Sequence, residues 1–306
     1  MGGINKGSWD AHTYDQVSCL VQYKWGQQVL DWRKWHGNEI VMDAGCGSGL
    51  LTKQLAEKVP RGKVYAVDID YNMIKQAKNN LKSFDNIEII QSSFTDVKLP
   101  RKMDVIFSNS ALHWVQDHRK AFQRFLEMLK PINYSNDSAD TSLSGNSNSN
   151  NNNNNNTADA GGQLLIQCGG HGNLQSIITI LEQIIHSDQF KEHFTDWKQP
   201  WYFAKAEDTS KLLQEIGYVN TKVYSSSDSV IFPNREIYSK FLKTVVMKSY
   251  LDHLSQDNDN DNHDEIDKLK ALFLKLFLDE AEKCTSQSNR RWFLDFARLN
   301  IIAHRP

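Results

Sequence analysis

The chain has 306 residues, 40% of them hydrophobic, enough to bury a substantial core in one large domain with insertions or in two modest ones. Lysine and arginine number 35 against 37 aspartate and glutamate, a balance that lacks the positive surplus used to neutralise many phosphates, so nucleic acid is not an expected partner. Cys19, Cys46, Cys168 and Cys284 are scattered without CxxC spacing, which excludes a disulfide framework and a zinc ribbon and fits a reducing compartment. No run of about 18 apolar residues is present and the first residues carry no apolar signal core, so a cytoplasmic protein with no membrane partner is expected.

From residue 39 onward, short apolar runs alternate with helical patterns. The runs are 40–42, 64–67, 87–90, 105–107 and 164–166, rich in β-branched and large apolar residues, as strands covered on both faces should be. Helices are expected at 50–58, 73–82 and 118–129, the last with Phe122, Phe125, Leu126 and Leu129 at helical spacing. This alternation predicts an α/β fold with a doubly wound, Rossmann-like parallel sheet.

Residues 133–160 interrupt the pattern with Asn, Ser, Asp and Thr, including seven asparagines from Asn150 to Asn156. So few apolar groups cannot offset the entropy of ordering the chain, and a disordered surface loop is expected. Lys130-Pro131 before it and Gly161-Gly162 after it read as the two halves of one helix-to-strand turn.

Beyond Cys168, helices are expected at 174–194, 206–216, 235–253 and 264–283, with strands at 218–224, 229–232 and 293–303. The late helices read as an insertion that forms a substrate cap. Residues 256–267 carry six acids, yet Asn262 and Lys268 stand where a calcium loop needs its turn glycine and its last glutamate. A solvated acidic loop is expected, and no metal.

The strongest local signal is Asp43-Ala44-Gly45-Cys46-Gly47-Ser48-Gly49, directly after the first strand and before a helix. Glycines there let the backbone turn sharply and approach a ligand. A dinucleotide fingerprint would place its third glycine at position 50, which is Leu50, so the G-x-G-x-G spacing points away from a nicotinamide cofactor. Asp68, at the end of the second strand, stands where an acid takes both ribose hydroxyls; Asp70 is its alternative.

On the stretches Val41 to Gly49, Val67 to Met73, Ser108 to Val115 and Leu129-Lys130-Pro131 with Gly161-Gly162, the chain resembles class I S-adenosylmethionine-dependent methyltransferases. The stretch Asn109-Ser110-Ala111-Leu112-His113-Trp114-Val115-Gln116-Asp117-His118 is similar to the trans-aconitate, malonyl-carrier-protein and juvenile-hormone-acid methyltransferases, all of which methylate a carboxylate. The resemblance implies S-adenosyl-L-methionine as cofactor, held by Asp43, Gly45, Cys46, Gly47, Gly49, Asp68, Ile69, Ser93, Phe94 and Asn109. It implies a helical segment within residues 1–38 over the cofactor, a cofactor-binding core at 39–170, and a remainder at 171–306 that completes the sheet and supplies the cap. The family's acid after the third strand is replaced by Ser92-Ser93-Phe94, which leaves Ser93 or Asp96 to accept from the adenine amino group.

Several residues keep two readings. Asp43 either caps the loop or fixes the ligand's amino group. Cys46 reads as a small residue in a crowded turn, without a basic neighbour to make it a nucleophile. His113 and Trp114 either serve the acceptor in a catalytic role or pack. Trp201, Tyr202 and Phe203 read mainly as packing. Arg235, Arg290 and Arg291 are candidates to hold a carboxylate.

The expected activity is O-methylation of a small carboxylic acid by direct in-line transfer. An acid with pKa near 4 is already ionised at neutral pH, so no base is required. If the nucleophile were an alcohol or amine, His113 would be the first base to consider. The alternatives are a C- or N-methyltransferase of another small metabolite and a non-catalytic cofactor-binding protein.

Overall fold

The computed structural model describes residues 19–132, 161–255, 263–286 and 292–306. The Asn-rich segment, most of the acidic segment, Arg290 and Arg291 lie outside these residues.

Strands β1 (Ile40–Ala44), β2 (Lys63–Asp68), β3 (Ile87–Gln91), β4 (Val105–Asn109) and β5 (Gln163–Gly169) pair in parallel, as their continuous apolar runs require. Strand β7 (Phe293–His304) lies antiparallel between β5 and β6 (Val219–Ile231), closing one seven-stranded sheet of order β3-β2-β1-β4-β5-β7-β6. The order reverses between β1 and β4, and ligands bind at such a switch point, outside the carboxyl ends of the strands.

Helices α1 (Lys24–Leu30), α2 (Leu50–Lys58), α3 (Tyr71–Asn80), α4 (His118–Met128) and α6 (Ala206–Ile216) flank the sheet, while α5 (Gln175–Ile185) follows β5. In β4 the period of two is plain: Val105 and Phe107 pack with Val29, Leu30 and Leu55, whereas Ile106 packs with Phe122, Phe125 and Ile166 on the opposite face. Helix α4 buries Ala121, Phe122, Phe125 and Met128, and its start is capped by Asp117, which accepts from the Lys120 N–H at 2.9 Å.

The two halves of the interrupted turn meet as expected: the Gly162 N–H donates to the Lys130 carbonyl at 2.7 Å. A Cβ on Gly162 would stand 2.6 Å from the Met103 carbonyl oxygen, so only glycine permits this approach. The 28 residues 133–160 therefore leave from and return to one tight junction, an arrangement that costs the sheet little.

Three late elements differ from expectation. The strands expected at 218–224 and 229–232 are one strand, β6, which pairs with β7 through Ile231 despite its Ser225-Ser226-Ser227 run. As an edge strand with alternating exposure it tolerates polar residues that read as a loop. The helix expected at 174–194 ends at Ile185; Ser187 Oγ donates to the Ile184 carbonyl, and a separate 3-10 turn forms at Lys191–Phe194. The helix expected at 235–253 is divided into α7 (Arg235–Phe241) and α8 (Lys248–Leu254) by a widened turn, Leu242–Val246, that contains the β-branched run Thr244-Val245-Val246.

Together with α9 (His263–Ser286), these helices build a second hydrophobic core around Leu181, Phe190, Phe241, Tyr250, Phe273 and Phe277. Trp25, Leu294 and Phe296 join it from the N-terminal segment and from β7. Both insertions leave the sheet after the carboxyl ends of parallel strands, β5 and β6, on the edge where the glycine loop lies.

Candidate active site

Strand β1 delivers the chain into a loop that only glycines can form. Gly45, Gly47 and Gly49 have φ of 81°, 54° and 87°, in the left-handed region. Their surroundings differ. A Cβ at Gly45 would lie 2.2 Å from the Ala111 Cβ and one at Gly49 would lie 2.6 Å from Leu81 Cδ1, but one at Gly47 would meet nothing within 4 Å. The outer glycines permit packing; Gly47 keeps a cradle open. The loop is strapped to β2, since the Gly45 and Cys46 N–H groups donate to the Val67 carbonyl at 2.8 and 3.0 Å.

Asp68 organises the same turn. Its Oδ2 accepts from the Gly47 N–H at 2.8 Å and its Oδ1 from the Asp70 N–H at 2.9 Å. Each carboxylate oxygen retains a further lone pair for a ligand hydroxyl. Burial raises its pKa, against the pull of these N–H groups. Asp70 is committed elsewhere, capping α3 through the Met73 N–H at 2.9 Å.

Asp43 lies buried beneath the loop and accepts from Thr52 Oγ1 on α2 at 2.6 Å. Burial pushes its pKa up to about 7, the Thr52 hydrogen bond opposes this, and the Asp68 charge adds to it. Because this value stands above the ordinary 3.8, the folded chain holds the extra proton between the two. Stability contributed by protonated Asp43 is complete below about pH 4 and lost as pH rises through about 7. Asp43→Asn is therefore expected to flatten the fall of melting temperature over that window; parallel decline of parent and variant would show Asp43 ionised throughout. The Cys46 thiol is pushed well up by burial and by both aspartates, in keeping with a packed side chain rather than a nucleophile.

A cleft opens between this loop and the N-terminal segment, lined by Gln22 and Tyr23 on one side, Asp43, Gly45, Cys46 and Gly47 on the other, and Phe107 and Asn109 at its base. Asn109 donates from Nδ2 to the Gln22 carbonyl at 3.0 Å, while its buried Oδ1 has no partner. Helix α2 has Gly49 as its N-cap, so no side chain caps its first-turn N–H groups, and its first residues, Leu50 and Leu51, line the cleft. At the ribose end, the Ser92 N–H donates to the Asp68 carbonyl at 2.9 Å, so Ser93 and Phe94 lie beside Asp68 and Ile69. Ile69 is 44% exposed, an apolar surface next to a carboxylate. Ser93 Oγ is engaged in a turn with Thr95, Phe94 packs on Phe125 with centroids 5.6 Å apart, and Asp96 pairs with Lys120 at 3.1 Å. Open cradle, unpartnered acceptor, bare helix start and carboxylate beside an apolar shelf fit a nucleoside that carries a zwitterionic arm.

After β4, Ser110 takes φ of 57° and turns the chain into a 3-10 turn, Leu112–Trp114. His113 Nδ1 accepts from the Gly169 N–H at 3.3 Å, which leaves Nε2 as the protonated nitrogen. Burial, with help from Arg298 and His118, lowers its pKa to about 3. His113 is thus neutral at physiological pH and carries its proton on Nε2. Trp114 packs edge-on to Trp201, centroids 5.7 Å apart, and Trp201 stacks on Phe203 at 5.9 Å. Arg235 is exposed and paired with Glu282 at 2.5 Å, away from this cluster.

The sequence reading missed Arg298, which is buried on β7, opposite Gly169. The signal was present: Leu294, Phe296, Arg298 and Asn300 share one face of the strand by the period of two, and their side of β7 is buried. Among the described residues, no three His, Cys, Asp or Glu side chains cluster as metal ligands, and no helix is long and apolar enough to cross a membrane.

Comparison with known proteins identifies the domain that holds these residues. Residues 41–132 match the methyltransferase domain family. An uncharacterized methyltransferase of Schizosaccharomyces pombe is 22% identical over 306 residues, covering 97% of this chain and 98% of that protein. A malonyl-[acyl-carrier protein] O-methyltransferase of Ilyobacter polytropus is 30% identical over 139 residues, 43% of this chain, which spans only about half (52%) of that relative. Among solved structures, Haemonchus contortus phosphoethanolamine N-methyltransferase 2 with S-adenosyl-L-methionine superposes with a TM-score of 0.53 at 16% identity, over 97% of this chain and 56% of that one, which shows the shared fold. Sheet order, glycine cradle and matched domain together make the chain a class I S-adenosylmethionine-dependent methyltransferase.

Proposed function

We propose that the chain methylates a carboxylate oxygen of a small organic acid. The observation that carries this reading is His113, four residues beyond the cleft residue Asn109 at the end of β4: burial keeps it neutral, and its Nδ1 is already occupied by the Gly169 N–H. It can donate to an oxygen but is a poor proton acceptor. A carboxylate, ionised above a pKa of about 4, is an acceptor that needs no base. Partial likeness to malonyl-[acyl-carrier protein] O-methyltransferases points the same way.

The cofactor would be held by the loop from Asp43 to Gly49, by Asp68 and by Asn109, with Ile69, Ser93 and Phe94 about its base. When bound, S-adenosylmethionine supplies a methyl group on positively charged sulfur, which a carboxylate oxygen takes as the carbon–sulfur electron pair returns to sulfur, with no proton to move. The chain's own work is alignment and exclusion of water. Trp114, Trp201 and Phe203 form an aromatic wall beside His113, and the helices after β5 and β6 close over it as the acceptor cap. Ordering of this kind supplies about 7–11 kcal/mol in well-aligned reactions. The buried free thiols of Cys46 and Cys168 support a reducing, cytoplasmic setting.

The test is methyl-ester formation over a panel of carboxylic acids, read by mass, beside alcohols and amines. Ester from an acid supports the reading; methylation of amines or alcohols alone, or cofactor binding without any turnover, defeats it. His113→Asn is expected to lower kcat by no more than about tenfold, and the rate to show no step near pH 6.5, whereas loss of a general base would cost about 100-fold or more.

A further inference from the structure

The sheet ends at β6 in an unguarded edge. The Phe232 N–H donates to the Trp292 carbonyl at 2.7 Å, which fixes the phase of the ladder between β6 and β7. Tyr224, Ser226, Asp228 and Val230 bond toward β7, while Val223, Ser225, Ser227, Ser229 and Ile231 turn their N–H and C=O groups outward. Among the described residues nothing hydrogen-bonds to those outward groups. Exposed edges are ordinarily blunted by proline, by lysine, by a bulge or by a very short strand. From Val223 to Ile231 there is no proline, glycine, lysine or arginine, and the ladder's register shift lies earlier, between Val219 and Lys222. The charge in this stretch, Asp228, is turned to Trp25 Nε1 at 2.6 Å. The backbone from Val223 to Ile231, about 30 Å of regular strand, is thus ready to pair, and Ile231 at its end is 64% exposed.

The stretch itself indicates the partner. Val223-Tyr224-Ser225-Ser226-Ser227-Asp228-Ser229-Val230-Ile231 reads alike from either end, an apolar pair, a polar run and an apolar pair, symmetric about Ser227. An antiparallel copy related by a two-fold axis at Ser227 sets Val223 opposite Ile231, Tyr224 opposite Val230, Ser225 opposite Ser229 and Ser226 opposite Asp228. Apolar meets apolar at both ends, and hydroxyls meet hydroxyls or a carboxylate between them, pairings that stabilise adjacent strands. Neighbouring axes do worse. An axis at Asp228 brings two carboxylates face to face, and one at Ser225 sets Val223 and Tyr224 against serines and reaches into the bulge. Two-fold interfaces are self-complementary by construction, whereas an unrelated strand gains nothing from this symmetry.

We infer that β6 is a homodimer interface: two copies of this chain join edge to edge about Ser227, and their sheets continue as one. Main-chain hydrogen bonds along Val223 to Ile231 give the affinity, and the Val223–Ile231 pairs cover the exposed isoleucine at each end. The cofactor cleft lies at β1 and β4, with β5 and β7 between it and the interface, and none of its lining residues belongs to β6. Each copy therefore keeps its own cleft.

Sedimentation velocity on the full chain, from sub-micromolar to high micromolar protein, is expected to show a monomer–dimer equilibrium. Ser227→Pro removes an outward N–H from each copy and leaves the ladder with β7 intact, since proline is tolerated on the open side of an edge strand. Ile231→Lys places a charge at the exposed end of the pairing. Each is expected to weaken dimerisation by about 30-fold or more, with S-adenosylhomocysteine binding within about threefold of the parent. Ile231→Lys carries the test should the proline variant not fold. Ser227→Cys, opposite its own copy at about 5.5 Å between Cα atoms, is expected to give a covalent dimer with a short bismaleimide where the parent gives none. A parent that stays monomeric at every concentration would overturn the inference and leave the edge to a different chain. A dimer undiminished in both variants, or assembly that runs on past the dimer, would overturn it as well.

Discussion

Gly47→Val is expected to weaken S-adenosylhomocysteine binding by about 100-fold or more, a loss of at least about 2.7 kcal/mol, in protein that still folds. The expectation follows from the contrast among the loop glycines. A Cβ at Gly47 meets nothing within 4 Å beyond its chain neighbours, and Gly47 lines the cleft, so a branched side chain there enters the space proposed for the cofactor. A β-branched residue at φ of 54° also strains the backbone, costing about 1–3 kcal/mol, so a modest drop in melting temperature accompanies the lost binding. Gly45→Ala is expected to behave in the reverse manner. Its Cβ would collide with Ala111 at 2.2 Å, so the damage appears first in stability. If Gly47→Val binds like the parent, or Gly45→Ala melts like it, the division of labour within the loop is wrong.

Asp68→Ala is expected to lose both cofactor affinity and stability. Removing the carboxylate leaves the Gly47 and Asp70 N–H groups without their acceptors, at about 1–3 kcal/mol for each one that water does not reach. It also removes the acceptor for a ribose, worth about 1.5–3 kcal/mol for a charge-assisted bond. Affinity should therefore fall by roughly 10- to 100-fold. Asp68→Asn recovers little, because its amide NH2 must face one of the two N–H groups. Calorimetry and thermal melting on the same samples separate the effects. A variant that loses stability but binds normally would make Asp68 a loop brace only.

What the sequence made legible was the part of the molecule governed by local rules. The parallel strands stand out because burial on both faces forces continuous apolar runs, as in Val105-Ile106-Phe107, and the loop stands out because left-handed backbone selects glycine. The Lys130 to Gly162 turn was readable across a 28-residue interruption because its first half keeps Lys130-Pro131, its second keeps Gly161-Gly162, and both keep their apolar flanks. Edge strand β6 was read as two pieces, since its outward residues answer to solvent and its pairing is fixed by distant β7.

The site was legible to the same degree. Asp43, Gly47, Asp68 and Asn109 lie at or just beyond the carboxyl ends of β1, β2 and β4, where chain position alone places them together. The condition of His113 was not legible, because it depends on Gly169, Arg298 and His118 converging on one ring. Arg298 was hidden for a related reason. Arginines on surfaces are common, and only the strand's inward face, together with Trp25 and Gln167 from remote parts of the chain, distinguishes this one.

The most direct test of the central claim is calorimetric titration of the folded parent with S-adenosylhomocysteine, run beside NADH and repeated with Gly47→Val. Micromolar, one-to-one binding of S-adenosylhomocysteine alone, abolished by Gly47→Val, is expected if the loop from Gly45 to Gly49 is the cofactor cradle. Binding of NADH instead, no binding in folded protein, or binding that survives Gly47→Val unchanged would contradict it.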